Sequence, residues 1–137
     1  MELNPAAPYA HAGLGLSYLL QGKFEDAVTE AQKDAAELAR LTIVAAARWG
    51  QKRIPESDAA LAQLKEGSAD TSAYQIAEVH AYRGEKDQAF EWLERARQQR
   101  DPGLASTKID PFYQNLHGDP RWNGFLRTVV LTDDQLK

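Results

Sequence analysis

Three histidines, His11, His80 and His117, together with Glu78, are the side chains of this 137-residue sequence whose types suit metal or acid-base chemistry. A metal site needs several such ligands converging on one ion, at short helical or hairpin spacings. These histidines fall in three separate stretches, and none has a paired ligand at such a spacing. Glu78 and His80 stand two positions apart, and helical residues at i and i+2 do not face each other. The chain has no Cys, which removes thiol nucleophiles, thiolate metal sites and disulfides. A Gly-rich phosphate loop, a nucleophile elbow and a zinc-protease signature are also missing from the sequence. The expectation is a protein that is not an enzyme and uses no metal or cofactor. His11 and His80 are read as packed side chains, each holding a hydrogen bond.

The elements that would position any site are helical. From Ala73 to Ala96 the chain reads as two short helices folded back across Arg83-Gly84-Glu85. Ala73, Ile76, Ala77 and His80 share one helical face, and Ala89, Leu93 and Ala96 share another. Small residues at Ala77 and Ala89 allow a close crossing. Upstream, Pro8 opens a helix carrying His11, Leu14, Gly15, Leu16, Leu19 and Leu20, apolar nearly all round. Gln21-Gly22-Lys23 turns the chain into a second helix with Phe24, Ala27, Val28 and Ala31 inward. The next turn is placed near Ala36 to Ala39. A further hairpin follows, with Leu41, Val44 and Ala45 before Gly50-Gln51-Lys52, and Pro55, Ser57, Leu61 and Leu64 after it. Gly67 reads as the stop of that helix, and Asp70 or Thr71 as the cap of the next.

Aligned on Gly22, Lys52 and Gly84, the turns recur at steps of 30 and 32 residues, and Gly15, Ala45 and Ala77 follow in step. Self-similarity at this period means stacked repeats. The stretches LGLSYLLQGKFEDA, VAAARWGQKRIPESDAAL and IAEVHAYRGEKDQAFEWLERA resemble the tetratricopeptide repeat. The resemblance covers about two thirds of the chain. The ending is similar to that of tetratricopeptide segments in bacterial multidomain regulators, through Asp101-Pro102-Gly103-Leu104, Asp110-Pro111-Phe112 and Asp119-Pro120-Arg121-Trp122. The two later Asp-Pro pairs are helix starts, with Asp as cap and Pro at the first helical position. They predict a short helix over Pro111 to His117 and a longer one over Pro120 to Val130. Trp122, Phe125, Leu126 and Val129 of the latter would cover the last hairpin, with Trp92 anchoring the stretch from Leu104 to Ile109. Departures from the family are His11, Arg48 and His80, where it places large aromatics, and Lys52, where it places a turn Gly.

The fold expected is therefore all-α: a right-handed superhelical stack of three tetratricopeptide hairpins with a C-terminal helical cap. As one domain it divides into repeat 1 over 8–37, repeat 2 over 38–67, repeat 3 over 70–101 and a capping segment over 102–137. The resemblance implies a concave groove lined by the first helix of each hairpin. Its binding residues would be Tyr9, Leu16, Leu20, Thr42, Trp49, Tyr74, Glu78 and Tyr82. Ala12, Leu16, Thr42, Ala46, Tyr74 and Glu78 stand where chaperone-binding members carry their cationic clamp, so a peptide carboxylate would find no counter-charge.

A net charge of −4, with both signs interleaved, gives no basic stripe for nucleic acid. No apolar run approaches the ~18 residues of a membrane span, and no leader pattern opens the chain, so a cytoplasmic address is expected. The function expected is a protein-protein interaction module that binds an apolar or amphipathic peptide segment. The alternative is self-association, as a homodimer or as the end of a longer repeat array, suggested by Glu2-Leu3-Asn4-Pro5, which resembles the closing turn of an earlier repeat.

Overall fold

In the computed structural model the backbone is described for residues 10–136 and the side chains for 11–129. The described residues form α-helices and 3-10 segments and contain no strand. The order is α1 (Ala10–Leu20), α2 (Phe24–Ala31), α3 (Glu37–Gly50), α4 (Ile54–Ser68), α5 (Ala73–Tyr82), α6 (Lys86–Gln99), 3-10 segments over Pro102–Ile109 and Pro111–Leu116, and α7 (Pro120–Leu136). The chain forms two compact units, Met1–Gly67 and Ser68–Lys137.

Three helix ends at the hairpin turns are built alike, and the end of α6 at Arg100, with φ of 55°, is a fourth of the same kind. At Gly22, Lys52 and Gly84 the backbone is left-handed, with φ of 76°, 63° and 78°. Each preceding helix closes by the same pair of bonds. Lys23 N–H reaches Tyr18 O at 2.9 Å, Arg53 N–H reaches Arg48 O at 2.8 Å, and Glu85 N–H reaches His80 O at 2.9 Å. One residue earlier, Gly22, Lys52 and Gly84 donate to Leu19, Trp49 and Ala81. This is the Schellman closure, which satisfies the last carbonyls of a helix by turning one residue left-handed. Glycine does this without a Cβ clash; Lys52 does it against one.

In the first unit, α1 and α2 form a hairpin whose crossing lies at Gly15. A Cβ there would stand 3.2 Å from Ala27 O and 3.5 Å from the Ala31 methyl. The break after α2 falls at residues 32–36, earlier than the Ala36 to Ala39 read from the sequence. Asp34 makes it there: its Oδ1 accepts from Ala36 N–H at 2.9 Å, which opens the chain just before α3. The fully buried Ser57 hydroxyl donates to Ala45 O at 2.8 Å and joins α4 to α3. Gly67 does not stop α4, which continues through it to Ser68; Thr71 and Ser72 N–H both return to Ser68 O.

In the second unit, α5 is the central helix, and Ala73, Tyr74 and Ile76 to Ala81 are all buried. Helix α6 packs along it, and both 3-10 segments also pack against it. Its N-terminal neighbour Ser72 makes no side-chain cap, and neither Asp70 nor Thr71 supplies one. The acceptor for Tyr74 N–H is instead Asp101 Oδ2, 3.2 Å away beyond the end of α6. Of the cap residues read from the sequence, Trp122, Phe125 and Val129 are buried and Leu126 is half-buried. Trp122 lies against Tyr113, with ring centroids 5.9 Å apart.

Candidate functional site: a closed carboxyl cluster and an open groove

The three Asp-Pro pairs each place one aspartate oxygen on a nearby backbone N–H. Asp101 Oδ1 accepts from Gly103, Asp110 Oδ1 from Phe112 and Asp119 Oδ1 from Arg121, all at 2.9 Å. Pro at the following position lacks an N–H and suits a helix start. What differs is the second oxygen. For Asp119 it takes the Arg121 guanidinium, and these hydrogen bonds hold that carboxyl down at about 2. For Asp101 and Asp110 it goes to Tyr74, at the backbone N–H and at the phenol hydroxyl, the latter only 2.6 Å away. Tyr113 O–H donates to Tyr74 O at 2.9 Å. One tyrosine of α5 thereby receives three anchors from the segment that follows α6.

Glu78 stands one turn further along α5 and is 9 % exposed. Burial pushes its carboxyl well above the usual range, and the nearby carboxyls of Asp110 and Asp101 push it further in the same direction. Burial also raises the Tyr74 and Tyr113 phenols. Gly103 comes close to the Tyr74 ring, where a Cβ would stand 2.6 Å from Cδ2. Phe112 lies against Tyr82, with centroids 5.8 Å apart, and Asn115 donates to Ala81 O at 3.0 Å and Tyr82 O at 3.3 Å. The chain's own Asp-Pro segments cover this face of α5.

The side chains read from the sequence as a binding face are thus distributed unevenly. Tyr9 lies outside the described residues. On α1, Leu16 is half-buried and Leu20 is 58 % exposed. On α3, Thr42 is buried with its hydroxyl on Leu38 O at 2.7 Å, and Trp49 is half-buried. On α5, Tyr74 and Glu78 come together within the closed cluster, and Tyr82 is half-buried beside it. Trp92 is buried with the Arg95 guanidinium 4.1 Å from its ring centroid, and Gly103 of the Asp-Pro-Gly turn lies close to the Tyr74 ring.

The first unit holds an open groove of about 470 Å³ that the sequence pattern did not reveal. Leu41 and Val44 of α3 and Ala59 and Ala60 of α4 form its apolar lining, and Gln32, Arg40, Glu56 and Gln63 complete it with polar groups. Leu41 and Val44 look like core positions in the helical period, yet both are half-exposed. Arg40 is held in place by its bond to Asp34 O at 2.8 Å, and Glu56 pairs with Arg53. The only sequence signal for the groove is negative: Ala59 and Ala60 leave room where larger residues would fill it.

His11 Nδ1 lies 2.8 Å from Glu30 Oε1, and His80 Nδ1 lies 2.9 Å from Glu85 Oε1, each within its own hairpin. Among the described residues, no group of three or more His, Asp or Glu side chains is placed to hold a metal ion. No described helix is long and apolar enough to cross a membrane. Comparison of the chain with family models, with curated proteins and with solved structures finds no match in any of the three.

Proposed function

We propose that the chain is a non-catalytic protein-interaction module of the tetratricopeptide kind that takes an apolar or amphipathic helical segment of a partner protein. The observation that carries this reading is the groove between α3 and α4, with its Leu41 and Val44 floor and its polar groups Gln32, Arg40, Glu56 and Gln63. An amphipathic helix presents the complement, apolar residues at one helical spacing and polar ones flanking them. A volume of about 470 Å³ accommodates a few side chains of such a helix rather than a whole one. The repeat assignment is supported by the three Schellman turns at steps of 30 and 32 residues. It is supported also by Gly15, Ala45 and Ala77, buried in step with them.

The open part of the interaction surface belongs on this account to the first unit, with Leu16, Leu20 and Trp49 contributing beside the groove. Tyr74 and Glu78 are engaged by the chain itself. Leu41→Glu places a charge on the groove floor and leaves the hairpin turns untouched. It is expected to weaken capture of amphipathic helical peptides at least tenfold, the cost of desolvating one charge at ~1.4 kcal/mol or more. Peptide affinity unchanged by Leu41→Glu, measured by fluorescence anisotropy, would move the site elsewhere.

A second reading is self-association through α1, favoured by Leu20, a large apolar side chain left 58 % exposed. Light scattering over a wide concentration range, with wild type and Leu16→Glu, separates the two. A concentration-dependent dimer lost in Leu16→Glu supports self-association; a monomer throughout leaves the surface to a partner.

A further inference from the structure

We propose that the groove of the first unit selects partner helices that carry a side-chain carboxylate beside their apolar stripe, and that Arg40 is the residue that reads it. This selection rests on the groove being the peptide site proposed above, and it names the chemistry of the occupant. The residues that line the groove all lie within Met1–Gly67.

Two charged side chains line it, Arg40 from α3 and Glu56 from α4. Glu56 is exposed and has its counter-ion in Arg53. Arg40 is half-buried, and among the described residues no carboxylate forms an ion pair with it. Its guanidinium donates instead to a backbone oxygen, Asp34 O, at 2.8 Å. The Asp34 carboxylate is committed elsewhere, with Ala36 N–H on Oδ1 and Ala12 N–H on Oδ2. Lys33, next to Gln32, is held by Glu30, and Glu37 on the first turn of α3 is exposed and does not line the groove. The bond to Asp34 O anchors one N–H of the Arg40 fork and leaves the others for an acceptor.

Leu41 and Val44 stand beside this cation on the same helix, with Ala59 and Ala60 across from them on α4. A segment that seats on these apolar residues also takes water away from Arg40. Withdrawing a cation from water without a counter-charge opposes binding. A carboxylate on the incoming helix removes that cost and forms a charge-assisted pair, which the planar guanidinium can accept at both oxygens. A lysine or arginine in the same place meets a like charge. Gln32 and Gln63 do not discriminate, since an amide both donates and accepts. On the partner, an acid three or four residues from an apolar side chain shares its face and reaches the groove with it.

The test uses designed helical peptides with Leu at i, i+3, i+4 and i+7 and one Glu placed in turn at each position flanking that stripe, every Glu peptide being paired with its Gln counterpart. Affinity for the full chain is read by fluorescence anisotropy. At least one Glu peptide is expected to bind about fivefold more tightly than its Gln counterpart, a preference that shrinks at high salt. In Arg40→Gln the two are expected to bind alike, and Leu41→Glu is expected to weaken both. Equal affinities within every pair would overturn the selection, and the groove reading stands if Leu41→Glu still weakens binding. A Glu preference that persists in Arg40→Gln would overturn the role of Arg40. Absence of binding, or binding that Leu41→Glu leaves unchanged, removes the groove reading and the selection with it. Should Arg40→Gln fail to fold, the Nε–H resonance of Arg40 in the wild type decides. It is expected to shift with the Glu peptide and not with the Gln peptide, and the same shift with both would overturn the proposal.

Discussion

Single carboxylates with divided duties hold the ends of the hairpins. Asp34, 2 % exposed, accepts from Ala36 N–H with one oxygen and from Ala12 N–H with the other, each at 2.9 Å. Asp101 does the same with Gly103 and Tyr74. The two distant amides, Ala12 and Tyr74, lie 62 residues apart, as do Gly22 and Gly84. An aspartate after the second helix thus serves the start of the first in both hairpins, although α2 has 8 residues and α6 has 14. Asp34→Ala strands two N–H groups and is expected to lower stability by about 2 kcal/mol, read from the urea midpoint. A change under a few tenths would mean that water replaces the carboxylate. Lys52 is the counterpart on the strained side. At φ 63°, Lys52→Gly is expected to stabilise the chain by about 1 kcal/mol with an unchanged urea slope. The turn positions were legible in the sequence because Gly22 and Gly84 set the period. The role of Asp34 was not, since its partner amide lies 22 residues away and carries no side-chain signature.

Among the elements, the C-terminal segment shows how far punctuation can be read. The Asp-Pro pairs mark their helix starts correctly, and Pro111–Leu116 and Pro120–Leu136 begin where those pairs stand. The type of the short helix was not legible: it is a 3-10 segment of 6 residues, separated by the extended Asp110 from another of 8 residues that the sequence reading left without a helix. Short capped stretches of this kind have too few residues for an α-helical pattern to declare itself. The docking partner was illegible for a different reason. Tyr74 occupies a helical position that would suit a groove as well as a core, and only the approach of Gly103 decides between them. Gly103→Ala sets a methyl against the ring, which the 2.6 Å bond to Asp110 keeps from turning aside. It is expected to destabilise the second unit by about 1 to 3 kcal/mol. Thermal melts followed by near-ultraviolet circular dichroism of the tyrosine cluster check this, and an unchanged melting temperature would show that the turn yields freely.

For the whole molecule, the two compact units divide the work. The second closes its central helix with its own Asp-Pro segments, around Tyr74, Glu78, Asp101, Asp110 and Tyr113. The first leaves the Leu41 and Val44 groove open and Leu20 exposed. Residues 68–137 expressed alone are therefore expected to melt cooperatively; a featureless melt would show that this cluster needs the rest of the chain. The all-helical class was legible from hydrophobic period and turn spacing. The side chains left free for a partner were not, because Leu41 and Val44 follow the same period as the core, and the difference lies in the small Ala59 and Ala60 opposite.

The measurement that tests the account most directly is selection of a displayed library of helical peptides against the immobilised full chain. The bound peptides are then mapped by amide chemical-shift changes. The account predicts enrichment of amphipathic sequences and shifts centred on Leu41, Val44, Ala60 and Gln63, abolished in Leu41→Glu. No enrichment over a blank surface, or shifts that leave those residues untouched, would contradict it.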